Sequence, residues 1–277
     1  VAAREIGSES WRADALAALA PHLPLDLLSK ALAAARTIWN EHHRARALTT
    51  LAPRLAEVGY PHEALAASRD VQDADDLAQI LAVLAPRLAE LGYHQEAPIA
   101  ARDIQDAGIR ARTIATIAPR LATLGYPQEA LAAAREIGNV DDRAKALAAL
   151  APHLAELGYP QEALTAAREI RDASASARAL ATLALRLPPD LLAQALVAAR
   201  EIGSESWRAD ALAALAPRLA KLGYPQEALA AAREIGSESE RAQALAALAP
   251  HLPENLLKQA LDVAREIRDE FARARAL

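Results

Sequence analysis

Residues 1–21, VAAREIGSESWRADALAALAP, return without a single change as residues 197–217. No other feature constrains the fold as strongly. Self-similarity at this scale marks a chain built from small supersecondary units, each too small to bury its own apolar face and each completed by its neighbours. A chain of 277 residues would otherwise suggest one or two globular domains; the repetition predicts a single continuous domain over residues 1–277.

Two markers set the period. An L-A-P motif places Pro21, Pro53, Pro86, Pro119, Pro152, Pro217 and Pro250 at intervals of 32 or 33 residues wherever they are consecutive, with Leu185 in the slot between Pro152 and Pro217. An A-A-R-x-I ending carries Arg4, Arg36, Arg69, Arg102, Arg135, Arg168, Arg200, Arg233 and Arg265 in the same register. Four residues after each arginine stands Ser8, Asn40, Asp73, Asp106, Asn139, Asp172, Ser204, Ser237 or Asp269, side chains that accept a bond from the first free N–H groups of a helix. Full units therefore begin near residues 8, 40, 73, 106, 139, 172, 204 and 237, with half units at both ends. Ser237 followed by Glu240 has the form of a capping box. The chain opens on Val1, contains no Met and starts and stops inside repeats, so further repeats are expected to flank it.

Hydrophobic residues make up 53% of the chain and aromatics only 3%, the apolar share being mostly Ala and Leu. These are the strongest helix formers, and an all-α fold follows. In each unit the first helix has apolar residues three and four apart, as at Leu212, Leu215, Ala216 and Leu219. It stops at Gly59, Gly92, Gly125, Gly158 or Gly223, where Gly takes the left-handed C′ conformation. Pro61, Pro127, Pro160 or Pro225 then opens the second helix at its first position. Three units use a shorter L-P connection at Pro24, Pro188 and Pro253. In the unit that begins at Asp73, His94 replaces the opening Pro and Pro98 falls inside the second helix, which is expected to start late or bend.

The unit L-x-x-L-A-P-x-L-x-x-L-G-Y-P-Q-E-A-L resembles tetratricopeptide (TPR) repeats along essentially the whole chain, with Leu212, Leu215, Ala216, Leu219, Gly223 and Ala228 in that family's pattern. The Pro within the first helix is similar to HEAT repeats, and the wording R-A-x-A-L-A-x-L-A-P-H-L-P-x-x-L-L is similar to repeat arms of bacterial signal-transduction (STAND/NACHT-type) ATPases. These resemblances imply a right-handed α-solenoid of about eight helix-turn-helix repeats with a HEAT-like kink in each first helix. They imply a sensor arm of a larger protein, with an NTPase module in the parent chain, and a cytoplasmic setting.

Catalytic and cofactor signatures are missing from the sequence. It has no Cys, which excludes disulfides, thiolate chemistry and Cys-based zinc sites. Neither a Walker-type nor a G-x-G-x-x-G glycine loop occurs. His42 and His43 are neighbours, and adjacent helix positions diverge by about 100°, which sets their imidazoles apart. We therefore expect no enzyme, no cofactor and no metal. The net charge of −5 with both signs interspersed leaves no basic field for a nucleic acid or an anionic membrane. No apolar run is long enough to span a bilayer.

Function must then lie in surfaces. Positions needed for stacking repeat, whereas positions facing a partner are free to vary. The most varied column lies seven residues after the arginine, and within it Trp11 and Trp207 are either exposed anchors or staples on the preceding helix. Trp39 occupies a slot held elsewhere by Gly or a polar residue. On the first helices Arg46, Arg112, Lys145 and Arg178 belong to a column that changes charge between units. A second basic column follows the LAP proline and includes Arg54, Arg87, Arg120 and Arg218, either a ladder for an acidic partner or a solvated face. The expected function is a non-enzymatic protein- or peptide-binding scaffold or ligand-sensing repeat domain. A modular nucleic-acid-binding solenoid is the alternative, opposed by net acidity and by the lack of a stacking aromatic in each unit.

Overall fold

Turn glycines and caps spaced through an Ala/Leu-rich chain give helix after helix in the computed structural model, which describes residues 6–276. Among the described residues there are 17 α-helices and no strand. Contacts gather into two compact units, Val1–Asn139 and Val140–Leu277. The first holds α1 (Glu9–Leu19), α2 (Leu25–Ala35), α3 (Glu41–Glu57), α4 (Pro61–Ser68), α5 (Ala74–Glu90), α6 (Glu96–Arg102), α7 (Ala107–Thr123) and α8 (Pro127–Arg135). The second holds α9 (Val140–Glu156), α10 (Pro160–Arg168), α11 (Ala173–Leu183), α12 (Pro189–Arg200), α13 (Glu205–Lys221), α14 (Pro225–Arg233), α15 (Glu238–Leu248), α16 (Glu254–Arg265) and α17 (Glu270–Ala276). Arg4, which opens the arginine series, and the helix expected over residues 1–6 lie outside the described residues, apart from Ile6.

Within each unit the odd-numbered helix of a repeat packs on its own even-numbered partner and on the next odd-numbered helix: α1 on α3, α3 on α5, α5 on α7, and likewise α9 on α11, α11 on α13 and α13 on α15. Each unit is thus an α-solenoid of stacked hairpins. First helices contribute the bulk of the core, with Leu48, Leu51, Ile80, Leu81, Leu84 and Ile114 fully buried. Second helices contribute mostly alanine, such as Ala64, Ala97, Ala100 and Ala130, whose small side chains let helix axes approach closely.

The long connections close as the sequence predicts. Gly59, Gly92, Gly125, Gly158 and Gly223 all have positive φ, from 86° to 96°. The following Tyr N–H returns to the third-last helical carbonyl, Tyr60 to Leu55 and Tyr93 to Leu88, while the Gly N–H meets the next one, the Schellman arrangement. Gly92→Ala puts a Cβ into this left-handed geometry and is expected to cost about 1–2 kcal/mol. Chemical denaturation of the variant beside the parent measures it, and no loss would contradict the assignment of that turn.

The L-P units differ. There the first helix ends early, α1 at Leu19 and α15 at Leu248, and Pro21 and Pro250 fall in one-turn 3-10 helices, Ala20–His22 and Ala249–His251. In α3, α5, α7, α9 and α13 the helix instead runs through its proline. Second helix α6 does start late, at Glu96, and the ring of His94 stacks on Tyr126 with centroids 3.8 Å apart.

One capping expectation needs correction. Asn40, Asp73, Asp106 and Asp172 accept first-turn N–H bonds, and Asp269 accepts from Ala272. Ser8, Ser204 and Ser237 take the extended cap backbone without a side-chain bond, so the Ser237–Glu240 capping box does not form. Each of these serines precedes a glutamate, Glu9, Glu205 or Glu238, which places a negative charge at the helix N-terminus in place of an Asp cap.

Candidate functional site

Successive first helices lie side by side, so one face of each is left without a helical neighbour, and that face carries the variable residues. In the first unit, a cleft of about 460 Å³ lies among α1, α3 and α5, lined by Ala17, His42, Arg46, Thr49, Asp76 and Gln79 among others. A second, of about 330 Å³, lies between α5 and α7, lined by Gln79, Ala82, Ile109, Arg112, Thr113 and Thr116. Gln79 lines both clefts, which makes them one groove.

Counted from the caps, third residues (Asp76, Ile109) and sixth residues (Arg46, Gln79, Arg112) form the groove wall, and the ninth and tenth residues that border it (Ala17, Thr49, Ala82, Thr50, Thr116) form its floor. Asp76 and Ile109 hold the third position and stand where Trp11 stands in α1 and Trp207 in α13. Arg46, Gln79 and Arg112 hold the sixth, the position of Lys145 and Arg178 in the second unit. The floor is small, Ala or Thr, and its threonine hydroxyls are spent on their own helices: Thr49 donates to the Ala45 carbonyl and Thr116 to that of Arg112.

Polar groups of these columns differ in how far they are committed. Arg46 pairs with Asp14 at 2.8 Å, and His42 meets the buried Asp76 carboxylate at 3.0 Å. Lys145 pairs with Asp142 at 3.2 Å. Arg112 and Arg178 are exposed and have no hydrogen-bond acceptor for their guanidinium groups among the described residues.

Of the tryptophans, Trp11 is 72% exposed, Trp39 89% and Trp207 38%, so Trp11 and Trp39 present most of their rings to solvent. Trp39 lies off the groove, in the α2–α3 connection, where its backbone is held: the Glu9 carboxylate accepts the N–H groups of Trp39 and Asn40 at 2.9 and 3.0 Å.

The column after the LAP proline is engaged within the array. Arg54 pairs with Glu57, Arg87 with both Glu57 and Glu90, and Arg120 with Glu90, at 2.7–2.9 Å. Basic and acidic groups thus alternate from repeat to repeat. Arg218, by contrast, has Lys221 three residues on, where Arg54 and Arg87 have Glu and Arg120 has Thr, and its Nε is buried without a partner.

The A-A-R-x-I arginines also bind forward. Arg36 meets Asp70 at 2.7 Å, Arg69 meets Asp103 at 2.6 Å, Arg200 meets Glu234 at 2.6 Å, and Arg102 meets Glu136. Their partners are the acids immediately after the next arginine in the series.

Two further columns join repeats and were not singled out from the sequence. The fourth residue after each cap is Arg12, Arg44, Arg110, Arg143, Arg208, Arg241 or Arg273, with Leu77 and Ser176 the exceptions. Arg12, Arg44, Arg110, Arg208, Arg241 and Arg273 each donate to the carbonyl of the Ile six residues earlier, at 2.8–3.3 Å. At two places the Glu that opens a first helix holds the next repeat: Glu238 accepts the Asp269 N–H at 2.8 Å as Glu9 does that of Asn40, whereas Glu41 pairs with Arg44 of its own helix. The recurrence of Arg in R-A-x-A-L was the available signal for the first column. The second had only the Ser-Glu pairs.

These bonds shift acid strength. The N–H groups of Trp39 and Asn40 lower the Glu9 carboxyl below 4.5, and those of Asp269 and Arg268 do so for Glu238. At Glu57 burial acts to raise the value, but hydrogen bonds from Arg54 and Arg87 outweigh it and the carboxyl is again lowered. A depressed native pKa means stability that is complete above the ordinary value of 4.5 and lost as pH falls through the native value. Glu57→Gln is therefore expected to flatten the acid limb of stability as pH falls below 4.5. Urea midpoints across that range, compared with the parent, check this; parallel limbs would contradict it.

Among the described residues no group of three metal-ligating side chains gathers, and no helix is long and apolar enough to cross a membrane. No protein-family model and no curated protein matches the chain. Among solved structures it is similar to Ton1535 from Thermococcus onnurineus NA1, at 18% identity over 99% of this chain and 92% of that one, with a TM-score of 0.31. It is also similar to a circular tandem repeat protein with novel repeat topology, at 15% identity over 97% and 88%, with a TM-score of 0.47. Neither superposition is close enough to carry a reading of function, and the helical repeat array stands on the hairpins of this chain itself.

Proposed function

We propose that the chain is a non-enzymatic interaction domain whose groove, floored by Ala and Thr and walled by the variable columns, receives a peptide or helix of a partner protein. The observation that supports this most is where variation falls. Asp76 and Ile109, in the most variable column, and Arg46, Gln79 and Arg112, in the charge-changing one, line the clefts, while Leu, Ala and the turn glycines repeat. A floor of small side chains lets a partner backbone approach closely, and the wall residues read its sequence. The resemblance to TPR repeats and to arms of STAND-type ATPases supports a ligand-sensing role within a larger cytoplasmic protein. Protein is favoured over nucleic acid because Arg54, Arg87 and Arg120 already meet Glu57 and Glu90, so a polyanion would compete with carboxylates for that ladder.

Selection of random displayed peptides on the whole chain tests this reading. Enriched peptides should lose about tenfold or more in affinity on Arg112→Ala and bind no longer to Ala82→Trp, which fills the groove. Peptides indifferent to both variants, or retention of RNA or DNA on a filter at low salt, would overturn it.

A further inference from the structure

Two of the regular inter-repeat bonds fail at the same junction of the second unit, and a cleft opens there. The first failure follows from unit length. The forward pairs of Arg36, Arg69, Arg102 and Arg200 span steps of 33 residues to the next arginine, whereas Arg168 is 32 residues from Arg200, because α11 and α12 are joined by the short L-P connection. Glu201 stands where the acid should be, and Arg168 does not pair with it. Arg233, the other 32-residue step among the described residues, likewise turns elsewhere, to Gln259. The second failure is a substitution. Ser176 holds the place of the arginine that elsewhere donates to the Ile carbonyl, so the Ile170 carbonyl has no donor among the described residues.

The result is a cleft of about 270 Å³ between the α10–α11 and α12–α13 connections, bordered by Arg168, Ile170, Arg171, Ser176 and Glu201 among others. Arg171 has no counterpart arginine at the other described connections except Arg268; the remaining ones carry Gly, Trp or Gln. Ser176 is 8% exposed and its hydroxyl has no partner among the described residues. A cleft of this size is below the range of drug-sized pockets and admits only a small molecule. Its border offers two guanidinium donors without acceptors, and one carboxylate and one carbonyl without donors.

We propose that this cleft binds a free dicarboxylic α-amino acid, its two carboxylates on Arg168 and Arg171, its ammonium on Glu201 and the Ile170 carbonyl, and Ser176 hydrogen-bonding within. Such a ligand neutralises both arginines and the glutamate together, which neither a simple anion nor a simple amine does, and charge-assisted bonds of this kind are the strong ones. The cleft belongs to the second unit, and the proposal does not depend on the peptide-binding reading.

Calorimetric titration of the whole chain tests it with L-glutamate, L-aspartate, L-glutamine and glutarate. Glutamate or aspartate should bind at least about tenfold more tightly than glutamine, which lacks one carboxylate, and than glutarate, which lacks the ammonium. Arg171→Ala should abolish the preference for glutamate over glutamine. Ser176→Arg restores the guanidinium that the other repeats carry, and should raise the melting temperature while eliminating binding. Three results would each overturn the proposal: no saturable heat with either acidic amino acid, equal binding of glutarate, or undiminished binding in a folded Ser176→Arg variant.

Discussion

Leu84→Ala is expected to destabilise the unit of residues 1–139 by about 2–5 kcal/mol, the range for emptying a fully buried leucine site. Leu84 lies in α5 with no accessible surface, and α5 packs on α3, α6 and α7. Its removal leaves a cavity within the packing of α5, and a close-packed interior relaxes only partly around such a void. Because each hairpin is stable chiefly through its neighbours, the loss extends to the repeats on either side. The adjacent Val83 is 49% exposed, and Val83→Ala is expected to fall within about 0.5 kcal/mol of the parent, in accord with substitutions away from the core. Urea unfolding followed by circular dichroism separates the two. A Leu84→Ala loss no greater than that of Val83→Ala would mean that the layer between first and second helices is not packed in one fixed way.

Most of the architecture was legible because the constraint is local and repeated. Turn glycines with positive φ, prolines opening α4, α8, α10 and α14, and the late start of α6 each follow from the chemistry of one or two residues. What escaped the sequence depends on distances between repeats. The arginines of A-A-R-x-I end second helices, where a cation suits the last carbonyls, and only stacking decides that Arg36, Arg69 and Arg200 reach the next repeat's acid. The same holds for Arg54, Arg87 and Arg120, whose partners Glu57 and Glu90 lie three residues ahead or one repeat behind. Trp11 stood out by its place in the most varied column and Trp39 by a slot held elsewhere by Gly or a polar residue, and both present most of their surface to solvent. The cleft at Ser176 was the least visible, because it arises from a missing residue in a column that had not been recognised and from a step one residue short.

Pro119→Ala is expected to stabilise the same unit by about 1–2 kcal/mol, the reverse of the usual sign for a substitution at a recurrent residue. Pro119 lies inside α7 and has no N–H, so the Ala115 carbonyl loses its helical donor. Ala115 is exposed, so water satisfies that oxygen, and the alanine variant would restore the bond. Helix preference favours Ala over Pro by about 3 kcal/mol. Greater freedom of the unfolded chain returns about 0.4–1 kcal/mol of this, and lost contacts of the half-buried ring take a further share. A residue that costs stability yet recurs inside α3, α5, α7, α9 and α13 has to be accounted for by something other than folding, and departures from local preference gather at functional sites. The ring lies one turn beyond Thr116, which borders the groove, so the carbonyl it frees belongs to the face proposed to receive a partner. Raised stability with weakened peptide binding is therefore the expected pair of results. A Pro119→Ala variant less stable than the parent would assign the proline to stacking instead, and would remove this support from the groove.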